Sequence, residues 1–258
     1  MNIIGKSECT ASQMAQYLIS KNPNAKSWAL EYAQLYLEEG EAEGVRGDGA
    51  WIQSCKETGN FKFTGGTAVT FDQNNFCGLG VTQKGMKGNS FASPRLGIRA
   101  QIQHLKAYAT TAPLKNPCVD PRYKYVTKGC APRFEDLAGK WAIPGYDTSK
   151  ASSLQDAMNK GVGYGFDIIA GIQQMKKIVV NDTSTTSKYY RVQCGAFSVK
   201  ANALALEIKL KQAGFSTCIK TVNDLHKVQL GAFKNKANAE ILLDAVKSKG
   251  FDAFLTYC

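Results

Sequence analysis

The chain has 258 residues, 44% of them hydrophobic, which is enough for one large domain or two ordinary ones with proper cores. Its formal net charge of +11 favours an anionic partner, such as nucleic acid, a lipid surface or a cell wall bearing phosphate and carboxylate polymers, with a merely solubilising basic surface as the alternative. The apolar runs are far too short to cross a bilayer, which excludes membrane insertion.

The first residues, MNIIGKSECTASQ, lack the apolar core and the small-residue cleavage site of a secretory signal. We therefore expect synthesis and folding in the cytoplasm. The eight cysteines contain no CxxC pair, so we expect reduced and mostly buried thiols. A disulfide between Cys118 and Cys130 is the alternative, and that compartment disfavours it.

Up to residue 178 the pattern predicts mostly helices, joined by glycine- and asparagine-rich loops that suit a cleft rather than a sheet. Ser93 and Pro94 form a capped helix start, followed by apolar residues on one face. The other segments with helical spacing are residues 11–21, 27–39, 153–159 and 165–177.

One more helix is predicted between Asp48, as its N-cap, and Gly59, which gives the stop signal. Glu57 lies in the last turn of this helix, where the carbonyl ends disfavour an ionised carboxylate. We expect an apolar wall beside it from three phenylalanines, Phe61, Phe63 and Phe76. Both effects raise the pKa of Glu57, as a proton-donating carboxylic acid requires.

Three motifs follow one another around this acid. They are Glu57-Thr-Gly, then Gln73-Asn-Asn-Phe-Cys-Gly-Leu-Gly80, and finally Trp141-Ala with Gly163-Tyr-Gly165. In this order they resemble the glucosaminidase family, glycoside hydrolase family 73, over residues 30–178. The resemblance implies a lysozyme-like, α-rich fold that cleaves the β-1,4 bond after N-acetylglucosamine in peptidoglycan. It also implies that Glu57 is the catalytic acid.

The same resemblance suggests other site residues. Tyr164 is similar to the tyrosine before the family's final helix, and it either orients the sugar and stabilises developing charge or packs at a helix start. The residues expected to shape the cleft are Asn74, Asn75 and Phe76, with Asn75 as a partner for the acetamido group. Tyr146 and Trp141 are candidates for stacking on a sugar ring, although tryptophan at such a place is more often core.

The sequence leaves the identity of the second catalytic group open. A retaining enzyme needs a nucleophile about 5 Å from the acid, and an inverting enzyme needs a base about 6.5 to 9.5 Å away. The carboxylates considered are Glu41, Glu43, Asp48 and Asp72. Of these, Asp48 is expected to cap the helix, and Glu41 or Glu43 to be solvated or paired with Arg46.

Many members of the family carry an acidic residue on a hairpin after the N-N-F segment. Residues 83–95 of this chain, which correspond to that hairpin, contain no Asp or Glu. A substrate-assisted route, in which the acetamido oxygen of the sugar stabilises the oxocarbenium centre, needs no second carboxylate. We therefore favour this route.

The chain changes character at residues 178–188, where an apolar helical pattern gives way to small polar residues. We predict a linker over residues 179–187, between a domain of residues 1–178 and a domain of residues 188–258. Beyond the linker, Arg191-Val-Gln-Cys-Gly-Ala-Phe197 recurs as Lys227-Val-Gln-Leu-Gly-Ala-Phe233, which indicates an internal duplication.

Each copy has the pattern of strand, helix and strand, so the two copies predict a β-α-β-β-α-β unit. Its four-stranded antiparallel sheet carries both helices on one face. Strict alternation then buries four residues, Val192, Cys194, Val228 and Leu230. It points four others at the open face as a candidate binding surface, namely Arg191, Gln193, Lys227 and Gln229.

The paired V-Q-x-G-A-F segments resemble a SPOR domain over the last 71 residues. Such domains bind peptidoglycan, notably glycan strands stripped of stem peptides. An RNA-binding sheet of similar topology is the competing interpretation, but the aromatic motif that stacks bases is absent, so we expect no nucleic-acid partner. For Gln193 and Gln229, ordinary strand surface remains the alternative.

Several enzyme classes do not fit the residues present. A zinc amidase needs converging histidines, whereas His104 and His226 fall in different predicted domains. A Cys-His peptidase built on Cys55 and His104 is not expected, because Cys55 lies on the apolar side of its helix. Neither a phosphate-binding glycine loop nor a metal cluster occurs, so no cofactor and no metal site are predicted.

Taken together, these features predict a peptidoglycan hydrolase of the endolysin type. A lytic transglycosylase or a muramidase of the same fold is the alternative, and a non-catalytic wall-binding protein is the alternative of another class. The lack of an export signal suggests release by a holin, as for a phage enzyme. Release on mother-cell lysis during sporulation is the second route.

Overall fold

The computed structural model describes residues 1–64, 68–83, 85–180, 189–222, 224–233 and 235–257. The chain separates into two compact units, Met1–Val180 and Asn181–Cys258. Apart from its first two residues, the predicted linker lies outside the described residues. Among the helices described, none has the length and apolar character needed to cross a membrane.

The first unit is mainly helical, as predicted. Its helices are α1 (Ala11–Lys21), α2 (Ala29–Glu43), α3 (Gly47–Glu57), α4 (Pro94–Ala109), α5 (Leu154–Lys160) and α6 (Tyr164–Lys176). The predicted cap of α4 is confirmed, because the Ser93 hydroxyl accepts the backbone N–H of Leu96 at 3.3 Å. Helix α2 runs four residues beyond the predicted end and stops where Gly44 adopts φ +78°.

The start of α3 corrects one prediction, because Asp48 is not its N-cap. The helix begins at Gly47, and the buried Asp48 carboxylate instead accepts hydrogen bonds from Arg46 at 3.0 Å and from the Glu8 backbone at 2.7 Å. A Cβ atom on Gly47 would lie 2.2 Å from the Tyr36 carbonyl oxygen. Close packing against α2 therefore fixes where α3 begins.

A second correction concerns the phenylalanines expected beside Glu57. Phe61 and Phe76 are almost fully buried, and their ring centroids lie 5.5 Å apart. Phe61 also packs on Trp51 of α3 at 5.3 Å, and Phe63 packs on Phe71 at 6.1 Å. These rings form the aromatic core of the unit, so the apolar surroundings of Glu57 come from other residues.

The seven described cysteines are free thiols, and Cys118 and Cys130 are not bonded to each other. The buried ones are Cys9, Cys55 and Cys77. The prediction of mostly buried thiols is therefore wrong, because the structure buries three of the seven described cysteines.

The second unit is an α+β domain with the predicted order of elements. They are β1 (Tyr190–Phe197), α7 (Lys200–Gln212), β2 (Cys218–Val222), β3 (Leu225–Phe233), α8 (Lys236–Ser248) and β4 (Phe254–Tyr257). All strand pairs are antiparallel, and the sheet order is β2-β3-β1-β4. Both helices pack against both central strands over a core that includes Val192, Val228 and Leu230. The predicted fold class is thus confirmed.

Strict alternation along the central strands does not hold. The β1–β3 register shifts twice, between Tyr190 and Val192 and between Gln193 and Gly195. A Cβ on Gly195 or on Gly231 would meet leucine side chains of α7 and α8, respectively, so both glycines face the helices. The duplicated glycine is the position at which each copy forms a bulge and approaches a helix closely.

Candidate active site and sheet surface

Glu57 is the last residue of α3 and lies at a cavity of about 440 Å³ in the first unit. The cavity wall comes from three separate parts of the chain. They are the loop at residues 77–82, helix α4 with His104 and Tyr108, and the later segments that carry Arg122, Trp141, Ala142 and Tyr164. The end of α3 therefore presents its carboxylate to an opening that several distant segments enclose.

Two donors hold one oxygen of the Glu57 carboxylate. Trp141 Nε1 donates to Oε1 at 3.0 Å, and the Tyr164 hydroxyl donates to the same atom. The other oxygen, Oε2, has no hydrogen-bond partner in the part of the chain that the structure describes. When Glu57 is protonated, Oε2 is therefore the oxygen free to carry the proton towards the cavity.

A buried chain of hydrogen bonds fixes the direction of the Tyr164 proton. The Gln53 side-chain amide donates to the Tyr164 oxygen at 3.2 Å, and Gln101 in turn donates to the Gln53 carbonyl oxygen at 2.9 Å. The Gln101 carbonyl oxygen accepts from the hydroxyls of Ser54 and Tyr36 at 2.8 and 3.0 Å. Because the Tyr164 oxygen already accepts a hydrogen bond, its own proton is left for Glu57.

Burial raises the pKa of Glu57 above its ordinary value. The hydrogen bonds from Tyr164 and Trp141 favour the ionised form and oppose this rise without cancelling it. The side chain is open to the cavity, but protein atoms on its other sides remove much of the water that would solvate a carboxylate. The predicted direction of the pKa shift thus agrees with the structure, and Trp141 and Tyr164 replace the expected phenylalanines.

None of the four carboxylates considered for the second catalytic role lines this cavity. Glu43 is buried against Lys106, and Asp48 is buried against Arg46. Glu41 lies beside a different cavity near the N-terminus, and Asp72 is exposed on a separate turn. Glu41 is exposed, as the solvated alternative predicted, whereas the alternative of pairing with Arg46 is wrong, because Arg46 pairs with Glu8 and Asp48.

The asparagines predicted to shape the cleft support its wall from behind. The buried Asn75 amide donates to the backbone oxygens of Leu79 and Asn89 at 2.8 and 3.0 Å, and its oxygen accepts the Leu79 N–H at 2.9 Å. Asn74 donates to the backbone oxygen of Phe91 at 2.9 Å. Asn75 is buried and both of its side-chain N–H groups are used within the protein, so it shapes the loop at residues 77–82 rather than facing an acetamido group.

Tyr146 lies at a neighbouring cavity of about 600 Å³. Tyr164 lines both this cavity and the one at Glu57, so the two cavities are neighbours in the first unit. Lys56, Pro144 and Asp167 also line the Tyr146 side. Two neighbouring cavities beside the acid give more room for a polymer than a single small-molecule site would.

Sequence reasoning did not assign His104 or Tyr108 to the cavity. His104 and Tyr108 are four residues apart on α4, which places them on one helix face. That spacing was a usable signal, but it did not show which face the cavity would take. Among the residues described, there is no group of three or more His, Cys, Asp or Glu side chains arranged to hold a metal ion.

In the second unit, Gln193 and Gln229 lie directly opposite each other on the central strands. They point away from the helices, as predicted, but only 6% and 5% of each residue is exposed. The Gln229 amide donates to the Gln193 oxygen at 3.2 Å, and Gln229 Oε1 is sealed from water without a partner among the described residues. The pair is therefore the floor of the open face rather than a free surface.

More accessible side chains surround this glutamine pair. Phe254 of β4 lies opposite Gln193 and is 52% exposed. Arg191, also on the open face, is half-buried and lies over the Tyr189 ring at 5.7 Å. The open face thus combines an exposed aromatic ring, a cation and buried amides, a combination that suits a sugar polymer.

Comparisons with known proteins assign the C-terminal residues to a family. Residues 186–257 match the SPOR domain family. The peptidoglycan binding domain of the B. subtilis cell wall lytic enzyme CwlC, known from a solution structure, is 40% identical in sequence. That match covers 30% of this chain and 98% of the domain, with a TM-score of 0.27.

A relative over a longer stretch is an uncharacterised protein of Borreliella burgdorferi. It is 40% identical over 141 residues, which cover 54% of this chain and 68% of that protein. The chain therefore belongs to the same family as this Borreliella burgdorferi protein, and its C-terminal segment is a SPOR domain, a module of the class that binds peptidoglycan.

Proposed function

We propose that this protein is a peptidoglycan glycan hydrolase in which Glu57 is the general acid and the SPOR domain holds the enzyme on the wall. The observation that carries the proposal is the state of the Glu57 carboxylate. One oxygen is held by Tyr164 and Trp141, the other is free towards the cavity, and burial raises the pKa. A glycosidic oxygen leaves readily only if such an acid protonates it.

The proton transfer has a defined geometry in this cleft. Protonated Glu57 presents the proton on Oε2 to the bridging oxygen, while Oε1 stays bound to two donors. As the carboxylate forms, these same donors stabilise its negative charge. Tyr164 and Trp141 thus hold the acid in place before the reaction and stabilise its conjugate base afterwards.

The substrate class follows from both units. The SPOR domain supports binding to peptidoglycan, and the two neighbouring cavities that Tyr164 lines support a polymeric glycan. The net charge of +11 attracts the enzyme to anionic wall polymers. In agreement with the sequence motifs, we propose the β-1,4 bond after N-acetylglucosamine as the bond that is cleaved.

Mass spectrometry of fragments released from purified peptidoglycan tests this function, with borohydride reduction to mark new reducing ends. We expect reduced N-acetylglucosamine ends. Reduced N-acetylmuramic acid ends would mean a muramidase, and anhydro-muramic ends a lytic transglycosylase. No release of fragments from walls that bind the protein would leave a binding protein without glycosidase activity.

Replacement of Tyr164 by phenylalanine should move the alkaline limb of the pH–rate profile to higher pH. Activity falls as pH rises through the pKa of the acid, because only protonated Glu57 can donate. The Tyr164 hydrogen bond favours the ionised carboxylate, so its loss raises the pKa of Glu57 further. The measurement is kcat/KM against pH on short soluble glycans. A limb that stays in place or moves to lower pH would contradict this arrangement.

Replacement of Phe254 by alanine should weaken binding of the separate SPOR domain to glycan strands. Loss of an exposed ring at a binding surface costs about 0.5 to 1.5 kcal/mol, which is a few-fold to about tenfold in Kd. The matched control is Ile241→Ala, since Ile241 is 69% exposed but lies on a helix covering the other face of the sheet. Sedimentation with purified walls gives both values. Equal weakening by the two variants would show that the open face does not bind glycan strands.

Deletion of residues 188–258 should reduce binding to walls more than cleavage of short soluble glycans. The catalytic groups all lie in the first unit, whose core is independent of the second core. Wall sedimentation and turnover of soluble oligosaccharides are compared for the full chain and the deletion. Equal wall affinity with and without the segment would exclude a targeting role.

A further inference from the structure

His104 lines the same cavity as Glu57 and pairs with Asp120, which is buried behind it. His104 Nδ1 and Asp120 Oδ2 are 2.7 Å apart, and the Asp120 side chain is fully buried. The other Asp120 oxygen accepts the backbone N–H of Arg122 at 2.8 Å, and the Gln103 side-chain oxygen accepts the Asp120 N–H at 3.3 Å. The carboxylate is therefore held rigidly behind the imidazole.

The remaining ring nitrogen of His104 is available to the cavity. His104 lines the cavity, and its Nε2 makes no hydrogen bond to any residue that the structure describes. Three polar side-chain atoms of the described residues are sealed from water and lack a hydrogen-bond partner, namely Arg46 Nε, Asn89 Oδ1 and Gln229 Oε1. His104 Nε2 is not one of them. Water in the cavity can therefore reach Nε2.

Asp120 also selects the useful tautomer. A carboxylate beside Nδ1 selects the tautomer of the neutral imidazole that carries its proton on Nδ1, because N–H donation to the carboxylate satisfies both groups. The lone pair is then on Nε2, where it can accept a proton. The same carboxylate stabilises the imidazolium that forms after proton transfer.

The Trp141 side chain contacts both Glu57 and His104. Its indole nitrogen donates to Glu57 at 3.0 Å, and its ring centroid lies 5.1 Å from that of His104 in an edge-on arrangement. Tyr108 packs on the other two rings, with centroids 5.4 Å from His104 and 5.8 Å from Trp141. Trp141 thus contacts both His104 and Glu57, and both residues line the cavity.

We propose that His104, oriented by Asp120, is the general base that activates the attacking water, so that cleavage inverts the anomeric centre. This inference rests on the proposed glycosidase function and supplies its second group, since no other carboxylate among the described residues lines the Glu57 cavity. It replaces the substrate-assisted route favoured from the sequence.

The proposed step conserves atoms and charge. Water attacks the anomeric carbon as its proton passes to His104 Nε2, while the bond from that carbon to the bridging oxygen breaks. The bridging oxygen takes the proton of Glu57 and leaves as a hydroxyl. Glu57 ends as a carboxylate and His104 as an imidazolium, and proton exchange with solvent restores both.

The other polar or titratable side chains of the cavity wall are Cys77, Thr82, Tyr108, Arg122, Trp141 and Tyr164.

The first test is the configuration of the new reducing end in the wild-type enzyme. Proton NMR at early times, before mutarotation, distinguishes the two anomers released from a β-linked glycan. Inversion predicts that the α anomer appears first. Initial release of the β anomer would overturn the base role of His104 while leaving the glycosidase function intact. Absence of hydrolysis would instead contradict the proposed function.

The second test uses His104→Ala with sodium azide as an external nucleophile. We expect turnover to fall about 10²- to 10⁴-fold without azide, because water loses its base. Azide needs no deprotonation, so it should restore turnover and yield an α-glycosyl azide. Asp120→Asn should show a smaller loss with the same rescue, and His226→Gln in the other unit is the control. A merely structural role for His104 predicts no rescue and no azide product in either cavity variant, and that result would overturn the proposal.

Discussion

Replacement of Glu57 by glutamine is expected to abolish glycan cleavage while leaving the fold and wall binding unchanged. The amide fills the same space and can still accept from Trp141 and Tyr164, but it cannot donate a proton to a leaving oxygen. Loss of general acid catalysis costs about 10²- to 10⁴-fold in rate. Release of reducing ends from purified peptidoglycan gives the turnover, and thermal unfolding and wall sedimentation report on fold and binding.

The matched control for this variant is Glu41→Gln. Glu41 is an exposed glutamate on α2, so its replacement changes the net charge by the same amount away from the cavity at Glu57. Turnover of the Glu41 variant should equal that of the wild type. Wild-type turnover by the Glu57 variant would remove Glu57 from the mechanism, whatever the product analysis shows.

Replacement of Glu43 by leucine is expected to destabilise the first unit by about 3 to 5 kcal/mol, as loss of one partner of a buried ion pair does. Glu43 and Lys106 are both almost fully buried, with 2.8 Å between Oε2 and Nζ. The carboxylate also accepts the backbone N–H groups of Lys115 and Asn116 at 2.9 Å each. Urea unfolding of wild type and variant gives the difference in the free energy of unfolding.

A second variant tests the cause of this loss. Adding Lys106→Met to Glu43→Leu removes the unpaired buried ammonium, so the double variant should be more stable than Glu43→Leu alone. It should still be less stable than the wild type, because two backbone N–H groups lose their acceptor. Equal stability of the single and double variants would contradict the importance of the buried charge.

The stability of this pair also depends on pH in a defined direction. Burial opposes ionisation of Glu43, but hydrogen bonds from Lys106 and from the backbone N–H groups of Lys115 and Asn116 outweigh it and lower the pKa. A lowered carboxyl pKa gives stability that is present above the ordinary value of about 4.3 and is lost as pH falls through the lower folded value. Glu43→Leu should therefore lose less stability on acidification than the wild type.

The ion pair contributes to the candidate site as well as to stability. It joins α2 to α4 and anchors the chain at residues 115–116, just before the segment that carries Asp120 and Arg122. Helix α4 carries His104 two residues before Lys106. Weakening this contact is thus expected to disturb the Asp120–His104 pair, which Glu57→Gln leaves untouched.

Features that depend on neighbours a few residues away were predictable from the order of the amino acids. The Ser93 cap and the apolar spacing predicted most helices, and the 36-residue repeat predicted the four-stranded sheet with two helices on one face. The placement of Glu57 at a helix end followed from the same local signals. These features are local because caps and periodicity act within one or two turns of the chain.

Which groups meet at the site depends instead on how distant segments pack together. Trp141 reaches Glu57 across 84 positions of the chain, and His104 at the cavity wall meets the buried Asp120, a contact that no spacing predicted. Asn75 turns inward because its amide satisfies backbone groups of its own loop, and a strand bulge at Gly195 breaks the expected alternation. Burial and pairing depend on segments far apart in sequence, so local patterns could supply the acid but not its surroundings.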